Sequence, residues 1–245
     1  MTTSWKRRVL NRTNEALRPV GLELVRKGRE FQSYISVRQT LKDAERSGQS
    51  LGDFIDKTFN VPGTTQLTIN KMSELGAFNQ PIHRVCELGP GSGRYLDKVK
   101  KLCSPEYYEI YETAEPWRDW LVQTYQVTAQ PADGVSFSST PSGSIDLVHS
   151  HKVLYGNSIL TIFRYLIEMA RVAGERSVVV FDLLTAECVT NEIMMKWVES
   201  GADHAHSMTP REVPLGFFSS QGFRCAGTFI VPMSPGVTEY FVFKR

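Results

Sequence analysis

Arg84-Val85-Cys86-Glu87-Leu88-Gly89-Pro90-Gly91-Ser92-Gly93-Arg94-Tyr95-Leu96 is the stretch whose reading decides the fold. An apolar run closes in a carboxylate, three glycines follow at alternate positions, and a helical pattern then opens. The order is that of a strand, a tight turn and a helix N-terminus. Such a turn lets a ligand approach bare backbone N–H groups at the positive end of a helix dipole.

On the C-terminal side of this stretch, short apolar runs alternate with helical ones. The strand candidates are Arg84–Leu88, Tyr107–Glu112, Gln126–Ala129, Ile145–Ser150 and Ser177–Phe181. Helices are expected over Gly93–Leu102, Pro116–Tyr125 and Ile159–Val172. This alternation argues for βαβ units and a largely parallel sheet. The end differs, because Cys225–Val231 and Glu239–Lys244 are joined by Pro232-Met233-Ser234-Pro235-Gly236. A connection that short makes an antiparallel hairpin and not a crossover.

On the N-terminal side, residues 31–80 read as a helical cap segment broken at Gly48 and at Pro62-Gly63. A helix is expected from Thr64 or Thr65, one of them as N-cap, to near Gly76. This preface would lie against the mouth of the sheet, as packing or as part of a lid. Residues 1–30 form a basic arm, with Lys6, Arg7, Arg8, Arg12, Arg18, Arg26, Lys27 and Arg29 against three glutamates. The arm reads as a solvated face, with contact to a membrane surface or partner as its sharper reading.

The 245 residues suit one domain, and 41% hydrophobic with 22% charged residues is an ordinary globular composition. A formal charge of +2 is nearly balanced, which speaks against a nucleic-acid partner. No run reaches the roughly 18 apolar residues of a membrane span. The N-terminus lacks the apolar core of a signal peptide. Cys86, Cys103, Cys188 and Cys225 form no CxxC pair and read as reduced packing residues, consistent with a cytoplasmic protein.

The glycine spacing discriminates between ligands. A dinucleotide fingerprint needs GxGxxG, but the position that follows Gly89 and Gly91 holds Arg94. A Walker loop needs GxxxxGK[ST], and no such string occurs. What stands here is Glu87-x-Gly89-x-Gly91-x-Gly93. With it, residues 82–245 resemble the class I S-adenosylmethionine-dependent methyltransferases. The resemblance implies a Rossmann-like fold: a mostly parallel seven-stranded sheet, helices on both faces, and the C-terminal antiparallel hairpin. It makes residues 81–245 the methyltransferase domain and S-adenosyl-L-methionine the cofactor.

In that family the acid and three glycines cradle the amino-acid end of the cofactor, which maps onto Glu87, Gly89, Gly91 and Gly93. An acid at the end of the second strand binds the ribose hydroxyls, and Glu112 stands there. A carboxylate suits a vicinal diol because it can accept two hydrogen bonds. The family commonly sets an Asp beside the adenine amino group after the third strand, and Asp133 matches. Ser144–Val148 and Ser177–Phe181 resemble the fourth and fifth strands.

The acceptor should meet the methyl group at the carboxyl ends of those two strands. The Asn/Asp-Pro-Pro-aromatic string common in methyltransferases of nucleobase amines is absent there. The fourth strand runs instead into His149-Ser150-His151-Lys152. An imidazole with a pKa near ~6.5 can take the proton of a hydroxyl as the C–O bond forms. His151 is the first candidate base, with His149 on the same strand face, and Asp182 is expected across from His151. Asp182, Glu187 and His151 make an incomplete version of the family's Mg²⁺ site. The usual neighbouring acid pair is missing, so magnesium is not the favoured reading and the metal stays open.

Residues 188–220 form a substrate-side insertion with Met194, Met195, Trp197, His204, His206 and Met208. His204 or His206 is a secondary base candidate. The expectation is O-methylation of a small molecule, sugar or secondary metabolite. The rivals are N-methylation of a small amine and a non-catalytic cofactor-binding subunit.

Overall fold

A computed structural model describes residues 36–199, 207–233 and 236–245. The basic arm, His204, His206 and the tip of the closing hairpin at 234–235 lie outside the described residues. Among the described residues three helices come first: α1 Val37–Ser47, α2 Leu51–Phe59 and α3 Thr64–Glu74. Ser36 and Ser50 cap α1 and α2 by accepting the amides of Gln39 and Asp53. Gly48 ends α1 in the left-handed conformation, as the break at that residue implied.

The start of α3 corrects the expected cap. Gly63 occupies the N-cap position and has no side chain to offer. The amide of Thr65 is satisfied by the previous helix, through Asp56 Oδ2 at 2.8 Å. Asp56 Oδ1 also accepts the Thr65 hydroxyl at 2.9 Å.

The sheet then builds from β1 Arg84–Leu88, β2 Tyr107–Tyr111, β3 Thr128–Ala129, β4 Ile145–Ser150, β5 Ala173–Leu183, β6 Arg224–Met233 and β7 Gly236–Lys244. Its order is β3-β2-β1-β4-β5-β7-β6. The first five strands run parallel, and β7 pairs antiparallel with both β5 and β6. The helices between and after them are α4 Arg94–Cys103, α5 Glu115–Tyr125, α6 Ile159–Val172, α7 Asn191–Glu199 and α8 Glu212–Ser220.

β1, β4 and α6 have the bounds their periodicity predicts. β3 is shorter than expected, because Gln126 turns left-handed to end α5. β5 is longer, because Ala173 leaves α6 directly into the sheet.

Strand alternation sorts the core onto two faces. On one, Met72, Tyr95, Leu96 and Leu121 of α3, α4 and α5 cover Val85, Ile110, Leu147, Val180 and Val242. On the other, Leu166, Met169 and Phe218 of α6 and α8 cover Cys86, Val148, Val179, Phe181, Phe241 and Phe243. Phe218 stacks on Phe243 with centroids 4.3 Å apart. The four cysteines are unpaired. No helix among the described residues is long and apolar enough to cross a membrane.

Candidate active site

All three glycines of the turn have positive φ, at 63°, 54° and 72°. Their surroundings differ. A Cβ on Gly89 would meet Val153 at 2.6 Å, and one on Gly93 would meet Leu121 at 2.5 Å. Those two glycines let the turn pack. A Cβ on Gly91 would meet nothing within 4 Å. Gly91 therefore borders open space, where a ligand could lie against bare backbone.

Glu112 follows β2 and is almost fully buried. Its Oε2 accepts the Gly91 amide at 2.8 Å and its Oε1 accepts the Ala114 amide at 2.7 Å. Burial pushes its carboxyl above the usual range, and these amides work against that shift. Fold and hydrogen bonding thus bring Glu112 to the middle glycine. Asp133 lies beyond β3, exposed, with Oδ1 accepting the amides of Val135 and Ser136 at 2.8 Å. Partial burial opposes ionisation there, but the Ser136 hydroxyl and these amides hold the carboxyl below its ordinary value.

Glu87 points to the α3–α4–α5 face and is buried. It accepts the Tyr108 hydroxyl at 2.6 Å, and that hydroxyl sits 2.8 Å from His149 Nε2. His149 Nδ1 is 2.9 Å from His151 Nε2, and His151 Nδ1 is 3.3 Å from the Tyr240 hydroxyl. The Tyr95 ring stacks on His151 with centroids 3.8 Å apart. Burial raises the Glu87 carboxyl to about 8, even against the Tyr108 hydrogen bond. Burial lowers His149 to about 3 and carries His151 well below its ordinary value. Both rings are neutral at pH 7. His149 is wholly enclosed, and His151 is 5% exposed.

Asp182 does not pair with His151. Its Oδ1 accepts the Lys152 amide at 2.7 Å, and Oδ2 lies 4.0 Å from Lys152 Nζ. Lys152 carries a φ of 63° at the end of β4, rare for a lysine. Its ammonium reaches Thr238 Oγ1 at 2.9 Å and the Pro232 carbonyl at 3.3 Å. Asp182 thus fixes a left-handed turn just past β4. The incomplete magnesium set, not the favoured reading, does not assemble. Asp182, Glu187 and His151 are not gathered into a metal-holding group, and no such group of three occurs among the described residues.

Arg94, the residue that breaks the dinucleotide spacing, pairs with Asp56 of α2. A cleft of about 340 Å³ opens on that flank, bordered by Ser50, Asp53, Gln66, Arg94 and Lys98. It excludes Gly91 and Glu112. In the insertion, Trp197 is buried with Leu184, Cys188 and Met233, whereas Met194, Met195 and Met208 are exposed. Sequence reasoning missed Tyr108 and Tyr240, which read as apolar strand residues. Counting alternate positions from Glu87 and His149 along neighbouring strands would have found them.

No family model and no curated protein sequence matches the chain. Solved structures do. The N-methyltransferase NodS from Bradyrhizobium japonicum, in complex with S-adenosyl-L-homocysteine, matches with a TM-score of 0.58 at 12% identity over 84% of this chain and 98% of that one. Magnesium protoporphyrin IX methyltransferase from Synechocystis, also with S-adenosylhomocysteine, matches with a TM-score of 0.58 at 12% identity over 98% and 99%. An O-methyltransferase family protein from Burkholderia thailandensis matches with a TM-score of 0.58 at 15% identity over 88% and 63%. The chain thus has the fold of the class I methyltransferases.

Proposed function

We propose that this protein transfers a methyl group from S-adenosylmethionine to a hydroxyl oxygen of a small acceptor. The observation that carries the cofactor assignment is the open left-handed position of Gly91 with the Glu112 carboxylate on its amide. The two lie at the carboxyl ends of β1 and β2, where open α/β sheets bind their ligands. Glu87 and the glycine turn at residues 89–93 would hold the amino-acid end, Glu112 the ribose and Asp133 the adenine amino group. When bound, the cofactor supplies a methyl group already activated on a sulfonium.

The chain's own work is then alignment and proton removal. Burial keeps His151 neutral, so its imidazole retains a lone pair at pH 7. It is the group proposed to take the acceptor's proton, a contribution typically worth about 10²–10⁴-fold. Asp182 holds the Lys152 turn that shapes the end of β4.

One observation favours an amine acceptor instead. Both ring nitrogens of His151 are already engaged, and an amine that is neutral at pH 7 needs no base. Titrating the protein calorimetrically with S-adenosylhomocysteine tests the cofactor; a folded protein that gives no heat refutes the assignment. A screen of hydroxyl and amine acceptors, with and without chelator, then reads S-adenosylhomocysteine release. On a hydroxyl acceptor, His151→Gln should lower kcat about 10²-fold or more. A loss below threefold favours the amine. Tight binding with no turnover on any acceptor favours a non-catalytic subunit.

A further inference from the structure

Five side chains, four from strands and His151 from just past β4, make one hydrogen-bonded row across the buried face of the sheet: Glu87, Tyr108, His149, His151 and Tyr240. Each link holds a single proton, and a neutral imidazole has one N–H and one bare nitrogen. The row therefore has two consistent settings. If Tyr108 donates to Glu87, then His149 donates from Nε2 to Tyr108. His151 must donate from Nε2 to His149, and Tyr240 donates to His151 Nδ1. If Glu87 carries a proton and donates it to Tyr108, every link reverses, and both histidines carry the proton on Nδ1.

We propose that Glu87, Tyr108 and His149 are positioning residues for His151, and that the charge on Glu87 sets the tautomer of both histidines through this row. An ionised Glu87 leaves Nδ1 of His151 as an acceptor, and a protonated Glu87 that donates to Tyr108 makes it a donor. The surroundings suit such a switch. Glu87 faces Tyr108, His149 and the charge of Glu112. His151 faces Tyr95, His149 and Tyr240, with the cations of Arg94 and Lys152 nearby. Burial disfavours charge on either ring, so a proton crosses the row without resting there. With Glu87 ionised, a proton taken up at His151 Nδ1 as the Tyr240 hydroxyl turns away displaces one at each link and ends on the carboxylate, which becomes a carboxylic acid. Only this catalytic consequence rests on the methyl-transfer reading; the tautomers do not.

The test is ¹⁵N spectroscopy of the full, ligand-free chain labelled in histidine, with His149→Gln and His151→Gln for assignment. Between about pH 6 and about pH 10, His149 and His151 should share one tautomer at each pH. They should pass together from Nδ1–H to Nε2–H around the pH at which Glu87 ionises. Glu87→Gln should remove that transition, and Tyr108→Phe should uncouple the two rings from it. Unlike tautomers, a charged ring above pH 6, or no shared transition in the wild type overturns the proposal, even if both variants fail to fold. Failure to bind S-adenosylhomocysteine would sink the proposed function and leave these spectra unchanged.

Discussion

Arg94 and Asp56 form an ion pair whose side chains are 9% and 4% exposed, and it joins α2 to the first residue of α4 after the glycine turn. The same carboxylate holds the amide and hydroxyl of Thr65, so one acid ties together three helices. Removing one partner leaves a buried charge unpaired. Asp56→Ala should therefore cost about 3–5 kcal/mol in urea unfolding. The Asp56→Leu, Arg94→Met double variant should recover at least half of that loss. A single-variant cost below about 1 kcal/mol would place this pair among weak surface bridges.

The glycines of the turn should separate stability from binding. Gly91→Ala and Gly93→Ala both put a Cβ on left-handed backbone, at about 1–2 kcal/mol each. Only Gly93→Ala drives that Cβ into Leu121, which should add roughly 1–3 kcal/mol. Gly91→Ala should melt closer to wild type, yet lose most of its affinity for S-adenosylhomocysteine. Equal melting temperatures, or unchanged calorimetric affinity in Gly91→Ala, would contradict this division.

Glu112 and Asp133, the two acids proposed to hold the nucleoside, differ in burial, and their variants should differ accordingly. Glu112→Gln removes a sheltered charge from the proposed ribose position, where a charge-assisted hydrogen bond is worth about 1.5–3 kcal/mol. Affinity for S-adenosylhomocysteine should fall about 10- to 100-fold. Asp133 is exposed, so Asp133→Asn should cost less than about tenfold. The reverse order in a calorimetric comparison would reassign the two acids.

Taken over His149, His151 and Glu87 alone, stability should peak near pH 6.5. Burial keeps His149 neutral down to about 3 and acts on His151 in the same direction. Below about pH 6.5 the unfolded chain protonates both rings and the folded chain does not, so acidification destabilises it. Each ring contributes up to about 1.4 kcal/mol per pH unit. Glu87 acts oppositely, since its folded carboxyl keeps a proton until about pH 8. Its contribution is lost as pH rises through 8, by about 2 kcal/mol from pH 6.5 upward. Urea unfolding at stepped pH measures both limbs, and Glu87→Gln should flatten the alkaline one. An alkaline limb unchanged in that variant would mean that another group carries it.

Much of the architecture was legible because the chain states it locally. β1 and β4 are short apolar runs with a helix or turn signal on each side, and α6 has a serine cap and an apolar stripe. What was not legible depends on distant partners. The cap of α3 comes from Asp56 and not from its own threonines, and β5 gains length by leaving α6 without a loop. At the site, the glycine turn was readable from its spacing, and Glu112 was expected at the end of β2 only through the family resemblance; the structure sets its carboxylate on the Gly91 amide. The row from Glu87 to Tyr240 was not, because its members lie up to 153 positions apart and meet only once the strand order is known. Asp182 was assigned to the correct strand end, but register and the Lys152 turn decide what its carboxylate touches.

The position of β7 bears on how the molecule comes into being during synthesis. β7 lies between β5 and β6, although it is made after both. A nascent chain that has emerged through Phe229 already holds the entire glycine turn and both histidines. It still lacks Tyr240, the seat for β6 and the strand that covers the β5 edge. Until residues 236–244 thread into that gap, Val178–Leu183 offers an unpaired row of amides and carbonyls to any extended peptide nearby. Adding β7 is therefore the step that completes the sheet, and a ribosome stalled before it would display the adhesive edge for as long as the stall lasts.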